Sequence, residues 1–304
     1  MNASIRPSIL YKAERPRLAQ ACVCCGHNEL WRQPAVLMPF VAQRALGLTP
    51  VEINPSWGLR DIPCGWAHAL CNTLCCSRCG LVFLDIRFSD DEMNQLYADY
   101  RGEDYTRERD TWEPGYAQRN ASLVAGVTYL EETERFLTAH LSTDRAELSL
   151  LDWGGDTGRN TPMRSRARDF HIVDLSGRIP DPPAVAVRIE QAQSRFYDLV
   201  VCSAVLEHVP YPLDLLNQIK PCLHPRSLLY LEVPLETLMN SPEADRWRLK
   251  RHWHEHINFY SADSLQALVQ SAGLKVLALD SIAVEIAGLP VTLLRAACQL
   301  PSRS

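Results

Sequence analysis

The apolar residues of this chain fall into three regimes. Beyond residue 146 they come in short unbroken runs, ELSLLDW, DFHIVDL, AVAVRI, YDLVVCSAV and SLLYLEVP, with LDLLNQIKPCL reading as a helix before the last run. Continuous apolar runs of this length are strands buried on both faces, and strands alternating with crossovers predict a parallel, doubly wound α/β sheet. Ahead of them, VTYLEETERFLTAHL places Leu130, Phe136, Leu137 and Leu141 largely on one helical face, as an amphipathic helix packed on a domain does. Earlier still, ADYRGEDYTRERDTWEPGYAQRN is polar, helical in composition and rich in tyrosine and arginine. It reads either as a solvated, salt-bridged helix or as a lid over a ligand, in which case Tyr100 and Tyr105 face the substrate. The pattern divides the chain into residues 1–87, a helical bridge or lid over 88–145, and an α/β domain over 146–304.

Composition narrows the function classes. With 304 residues, 46% of them hydrophobic, the chain can bury a substantial core. No apolar run approaches the roughly 18 residues of a membrane helix, and the first twenty residues lack the apolar centre of a secretory signal, so a cytoplasmic location is the expectation. A formal charge of −5 disfavours nucleic acid as a partner and leaves only a local patch such as Arg164, Arg166 and Arg168 for it.

The cysteines are unevenly spread. Cys22, Cys24, Cys25, Cys64, Cys71, Cys75, Cys76 and Cys79 make eight of the eleven, and they include two CxxC pairs, Cys22/Cys25 and Cys76/Cys79. Each pair is followed by a glycine, Gly26 or Gly80, which lets the chain turn back so that both sulfurs face one point. Two such knuckles supply the four thiolates of a closed, structural zinc site in a small zinc-ribbon-like domain. Cys24 and Cys75 adjoin the four expected ligands and leave the register open.

The α/β half begins with LSLLDWGGDTGRNTP. Gly154 and Gly155 follow a strand directly and allow the backbone to approach a ligand, and Asp152 stands at the strand end. The spacing is not the GxGxxG of a dinucleotide site; it is acid-x-Gly-x-x-x-Gly, with Asp156 where a third glycine often stands, and an acidic loop suits a cationic ligand better than a phosphate. About twenty residues on, the next strand ends in Asp174, followed by Leu175, placed to accept from both hydroxyls of a ribose.

This segment resembles motif I of the class I S-adenosylmethionine (SAM) dependent methyltransferases, and YDLVVCSAVLEHVPYPLDLLNQIKPCLHPRSLLYLEVP is similar to their fourth strand, following helix and fifth strand. The resemblance implies a Rossmann-like sheet with SAM as cofactor. It places Asp152 and Gly154 at the methionine end, with Gly155 and Asp156 beside them, Asp174 on the ribose, and Cys202, Ser203 and Ala204 on the floor of the site. It puts Glu207 and His208 of the LEHV element beside the transferred methyl, and leaves Glu190 as the one nearby acid for the adenine amino group.

A CxxC domain ahead of such a fold, with a later EH sequence, is similar to the methyltransferases of nucleotide-linked deoxysugars, some of which methylate carbon. The late sequence here is RHWHEHINFYSADSLQALVQSAG, and the resemblance implies acid and base roles for Glu255 and His256, although Trp253 stands where those enzymes commonly carry a tyrosine. Three roles fit the cluster. His256 with Glu255 as orienting partner is a general base, with His254 and His208 nearby; alternatively His256 and Asn258 bond the backbone ahead of a helix capped by Ser261; or His252, His254 and His256, on one face of a strand, bind a metal. The reading is a SAM-dependent methyltransferase of a small-molecule acceptor, a nucleotide-linked sugar or natural-product intermediate. Methylation of RNA or protein, and a noncatalytic SAM-fold module that binds a partner through its zinc domain, are the alternatives. The acceptor, the methylated atom and the oligomeric state stay open.

Overall fold

Two eight-residue strands form the centre of the N-terminal region. In the computed structural model, which describes residues 16–49, 51–58, 64–67, 69–141, 146–240, 247–286 and 288–301, β1 (Leu30–Leu37) is followed by α1 (Pro39–Leu46) and a short hairpin of β2 (Val51–Ile53) and β3 (Gly65–Ala67). The chain then returns as β4 (Ala69–Cys76), antiparallel to β1, and turns through the second CxxC knuckle into β5 (Val82–Leu84).

Four helices follow: α2 (Asp90–Leu96), α3 (Glu103–Trp112), α4 (Tyr116–Ala125) and α5 (Leu130–Thr138). Ser89 and Glu92 close a capping box at the start of α2. The chain bends sharply before α3, where Asp99 and Arg101 take φ of 54° and 60°. The C-terminal half contains β6 (Leu148–Trp153), β7 (Ala167–Val173), β8 (Val185–Ala186), α6 (Ile189–Gln193), β9 (Tyr197–Ser203), α7 (Pro212–Ile219) and β10 (Leu223–Pro234). It continues with β11 (His252–Trp253), β12 (Asn258–Phe259), α8 (Ala262–Ser271), β13 (Lys275–Ile286) and β14 (Leu289–Gln299).

Seven strands form one sheet in the order β13-β14-β10-β9-β6-β7-β8. The five from β6 to β10 are parallel, but β14 runs antiparallel to β10 and β13 antiparallel to β14, so the sheet is mixed rather than wholly parallel. The closing hairpin escaped the pattern reading because its outer strand is half exposed and carries no unbroken apolar run. Phe136 and Leu137 of α5 cover one face of the sheet, and Leu215, Leu216, Leu265 and Leu268 of α7 and α8 cover the other. The strand order reverses between β6 and β9, and the crevice at their carboxyl ends is where an open α/β sheet takes its ligand.

The two halves share the smaller sheet. β11 adds parallel to β1, and β12 adds antiparallel to β5, giving the order β11-β1-β4-β5-β12. The histidine segment therefore spans the end of the cysteine-rich sheet from one edge to the other. Trp253, fully buried, donates its indole N–H to Thr73 Oγ1 at 2.8 Å. Asn258 Nδ2 donates to the main-chain carbonyls of Leu206 (2.9 Å) and Val209 (2.8 Å), while the main-chain N–H groups of Ile257 (2.7 Å) and Asn258 (3.1 Å) donate to that of Glu207. Arg87, itself buried, donates to the carbonyl of Pro210 (2.9 Å) and to Asn258 Oδ1 (3.2 Å). The loop after β9 is thus held from below by the segment that crosses it.

Asn258→Ala leaves the Val209 carbonyl and one donor of Arg87 short of partners, while the Leu206 carbonyl keeps the Tyr260 hydroxyl at 3.2 Å. At about 1–3 kcal/mol for each buried group left unsatisfied, the variant is expected to lose roughly 2–4 kcal/mol in urea unfolding. A stability equal to the parent chain would show that this side chain does not hold the loop.

Candidate functional site

The glycine loop at the end of β6 has little room for side chains. Gly154 has φ of 87°, and a Cβ there would lie 2.3 Å from Val205 Cγ2; one on Gly155 would lie 2.6 Å from the Asp152 carboxyl. Asp152 is buried and its Oδ2 accepts from the Thr161 hydroxyl at 2.5 Å. Asp174 fixes the far side of the loop, its two oxygens accepting the amides of Asp156 (2.8 Å) and Ser176 (2.6 Å). The Asp156 carboxylate pairs with Arg178 at 3.2 Å.

A cavity of about 410 Å³ opens in front of this loop. The loop supplies Gly154, Gly155 and Asp156, the end of β9 supplies Ser203, Ala204, Glu207 and His208, and the histidine segment supplies His254, Glu255 and His256. A smaller apolar cavity of about 100 Å³ holds Asp174, Leu175, Ile189 and Val209 in its wall. Tyr100, Gly154, Ala204 and His208 belong to both, so the two spaces meet around the glycine loop. Tyr100, Arg101, Arg109, Tyr116 and Arg119 of the bridging region line the larger cavity.

The titratable groups in this cavity sort into charged pairs and neutral neighbours. His256 Nδ1 lies 2.8 Å from Glu236 Oε1. Burial opposes charge on His256, but the bond to Glu236 and the nearby carboxylates outweigh it and raise its pKa. Burial likewise works against ionised Glu255, and the guanidinium of Arg109 at 2.5 Å overcomes it, holding this acid well below the usual carboxylate range. His208 is pushed far down by burial and by His256, and His254 is lowered by burial. Burial raises Glu207 to about 7, and Asp152 also to about 7.

Several expectations need correction. Glu255 does not orient His256; it faces Arg109 and His254, and Glu236 is the partner of His256. Cys202 is fully buried in the core on the opposite face of β9, because adjacent strand residues point to opposite sides, and Val201 and Ser203 line the cavity instead. Tyr105 is also fully buried, edge-on to Phe40 and Tyr100, and supports Tyr100 from behind. His252 is exposed and takes no part in a histidine face, since the strand there is only two residues long. Glu190 is exposed, and its neighbour Ile189 lines the small cavity. Ser261 does cap α8, accepting from the Ser264 amide at 3.2 Å.

The four cysteines of the two CxxC pairs converge. Cys22 and Cys79 have sulfurs 3.6 Å apart, as do Cys25 and Cys76, and all four lie within 4.8 Å of one another. A disulfide needs about 2.05 Å, whereas zinc with bonds of about 2.3 Å sets tetrahedral sulfurs roughly 3.8 Å apart. The four thiols fit zinc. Cys24 and Cys75 are buried outside the cluster, Cys71 is buried in the other core, and Cys64 is exposed.

Three contributors were missed. Glu236 and Arg109 come from stretches with no motif, although the wealth of arginine and tyrosine before α4 was the visible signal for the second. Glu232, near the end of β10, is buried and accepts three hydroxyls, from Ser203 (2.7 Å), Tyr230 (2.6 Å) and Tyr129 (3.2 Å), on the cavity floor.

Asp152 gives the site a pH signature. Its pKa of about 7 lies above the roughly 4 of an unfolded aspartate. The folded chain keeps a proton that the unfolded chain releases in between, so this residue lowers stability as pH rises from about 4 to 7. Asp152→Asn removes that loss. The variant is expected to be more stable than the parent at about pH 8, by on the order of 1–3 kcal/mol, with the difference fading below about pH 4 in denaturant titrations. Equal stabilities at every pH would mean that folding does not shift the Asp152 pKa from its unfolded value.

A family model described as a methyltransferase domain matches residues 124–279, just over half of the 304. No curated protein sequence matches the chain. Among solved structures it is similar to the glycopeptide N-methyltransferase MtfA complexed with SAM, at 14% identity and a TM-score of 0.42, over 58% of this chain and 95% of that one. It is also similar to the 1,6-didemethyltoxoflavin N1-methyltransferase of Burkholderia thailandensis, at 18% identity and a TM-score of 0.46, over 74% and 97%. The plantazolicin methyltransferase BpumL is similar at 14% identity and a TM-score of 0.41, over 69% and 94%. The sheet, its glycine loop and the matched domain give one answer: the chain belongs to the methyltransferase-domain family and is a SAM-dependent methyltransferase of class I fold.

Proposed function

We propose that this enzyme methylates a small-molecule acceptor, a nucleotide-linked sugar or natural-product intermediate, held in the larger cavity. The observation that carries the reading is that the space beside Gly154 and Asp174 opens directly onto Glu207, His208 and His256. SAM lies across the glycine loop, its ribose toward Asp174, its adenine in the apolar cavity of Leu175, Ile189 and Val209, and its cationic methionine end toward Asp152. Ser203 and Ala204 form the floor, and Tyr100 closes the roof. Residues 1–87, 88–145 and 146–304 serve as zinc domain, lid and SAM domain, with residues 252–259 reaching back into the first.

The sulfonium is already an activated donor, so the protein aligns the acceptor and removes its proton. His256 is the candidate base. Glu236 occupies the place expected for Glu255: it holds Nδ1 and favours the charge that the imidazole gains on taking a proton. The base form grows as pH rises through a pKa above the ordinary histidine value, and single-turnover rate is expected to climb with it. His256→Gln is expected to lower turnover roughly a hundredfold or more, abolish that limb and leave SAM affinity by calorimetry within about threefold. S-adenosylhomocysteine release with a panel of candidate acceptors identifies the reaction to use. A full rate in the variant would remove His256 from the mechanism, and a chain that binds no SAM would end the whole reading.

We further infer one structural zinc per chain on Cys22, Cys25, Cys76 and Cys79. Metal analysis of freshly purified protein is expected to give one equivalent, lost when Cys76 and Cys79 are both replaced by serine. Zinc that survives the double replacement would place it elsewhere.

A further inference from the structure

The cavity wall holds a carboxyl that proton transfer does not use. Glu207 is 1% exposed and lines the cavity, yet neither of its side-chain oxygens has a hydrogen-bond partner. A buried acid left in this state costs the protein stability, which a donor or cation supplied from the cavity would offset. His208 and His256 stand beside it. One ligand-capable atom from each of the three lies within 4.8 Å of the other two.

Both imidazoles have one nitrogen already committed. His208 Nδ1 lies 3.1 Å from the main-chain carbonyl of Glu255 and 2.8 Å from the Tyr97 hydroxyl. A carbonyl only accepts, so Nδ1 carries the proton and neutral His208 keeps its lone pair on Nε2, which lies 3.8 Å from Glu207 Oε1. His256 Nδ1 is held in the same way by Glu236, which leaves its Nε2 as the free ligand atom. Imidazoles that donate Nδ1–H to an oxygen while presenting Nε2 are oriented as metal-binding histidines are. The rival grouping of Glu236, His254 and His256 is already spent on itself: Glu236 on His256 Nδ1, and His254 Nδ1 on the His256 amide at 3.1 Å.

We propose that Glu207, His208 and His256 bind a divalent first-row transition-metal cation, such as zinc, manganese or ferrous iron, with its remaining positions open to the cavity. Bonds of about 2.1 Å set neighbouring ligands roughly 3–3.5 Å apart, which is a small side-chain adjustment from the present spacing. The open positions suit an acceptor that offers two adjacent oxygens, a vicinal diol, a catechol or a hydroxy-carbonyl. This rests on the methyltransferase reading of the same cavity and gives it a different proton step: with an ion bound, His256 would be a ligand through Nε2 and not the base, and the ion would lower the pKa of a bound hydroxyl whose proton leaves to solvent.

The test is a manganese titration of the full chain with its cysteine cluster filled by zinc, followed by the electron paramagnetic resonance signal of free Mn²⁺ and by metal analysis for a second Zn²⁺. One additional ion per chain is expected, with affinity at least tenfold weaker in Glu207→Gln and in His208→Gln and unchanged in His252→Gln, a histidine outside the cluster. Two variants guard against a misfolded one, and calorimetric binding of S-adenosylhomocysteine reports whether each site is intact. No saturable manganese or second zinc in the parent chain, or undiminished binding in a folded Glu207→Gln, overturns the cation site while leaving the methyltransferase reading in place. Failure of the parent chain to bind S-adenosylhomocysteine overturns the underlying reading instead.

Discussion

Everything in the site depends on how residues 206–210 are held. This stretch leaves β9 at the point where the sheet reverses direction, and it carries Glu207 and His208 into the cavity. A loop there would ordinarily satisfy its carbonyls with water. Here the carbonyls of Leu206, Glu207, Val209 and Pro210 are all taken by Asn258, Ile257, Tyr260 and Arg87. Because Arg87 belongs to the cysteine-rich half and the others to the segment crossing it, the position of His208 relative to Gly154 is set by the small sheet. The cysteine cluster is tied into the same arrangement: Cys24, between two of the expected zinc ligands, packs in one core with Tyr260 and Leu206.

The same geometry explains the electrostatics. The cavity gathers three histidines and at least four acids in a space where an isolated charge is costly. The protein meets this cost by pairing two of the acids, Glu255 with the Arg109 guanidinium and Glu236 with His256 Nδ1, and by supplying hydroxyls to Glu232. Burial lowers the pKa of His208 and of His254. Glu207 is left over: Asp156 and Glu255 each have one oxygen without a hydrogen-bond partner but pair through the other, whereas neither oxygen of Glu207 has one, which marks it as a place where a ligand completes the arrangement.

Much of this was legible in the chain. The buried strands, the acid-x-Gly-x-x-x-Gly turn and the Asp at the next strand end are local patterns, and each lies where the pattern put it. The two CxxC pairs were likewise local, and their sulfurs converge. What escaped was non-local. The strands of residues 252–253 and 258–259 are two residues long, too short for any period, and exist only because β1 and β5 offer edges. Cys202 was counted with Ser203 and Ala204 on the floor of the site, but in a strand it faces the side opposite to Ser203. Tyr105 belongs to a helix whose apolar side could not be assigned until Phe40 was known to cover it.

The mistaken partner of His256 carries the most general lesson. Adjacency in sequence made Glu255 the natural orienting acid, but successive residues in an extended segment diverge, and Glu255 points toward α3 and Arg109 while His256 points toward Glu236. The swap has a chemical consequence. An acid neutralised by a guanidinium has little left to give an imidazole, whereas Glu236 is held below the usual carboxylate range by His256 itself and shares its charge with that ring. Had Glu255 been the partner, Arg109 would have competed for it and the imidazole would be the weaker base. By separating the two pairs, the fold gives Glu255 the task of anchoring α3 through Arg109 and leaves Glu236 free to fix one nitrogen of His256, so that the other is presented to whatever enters the cavity.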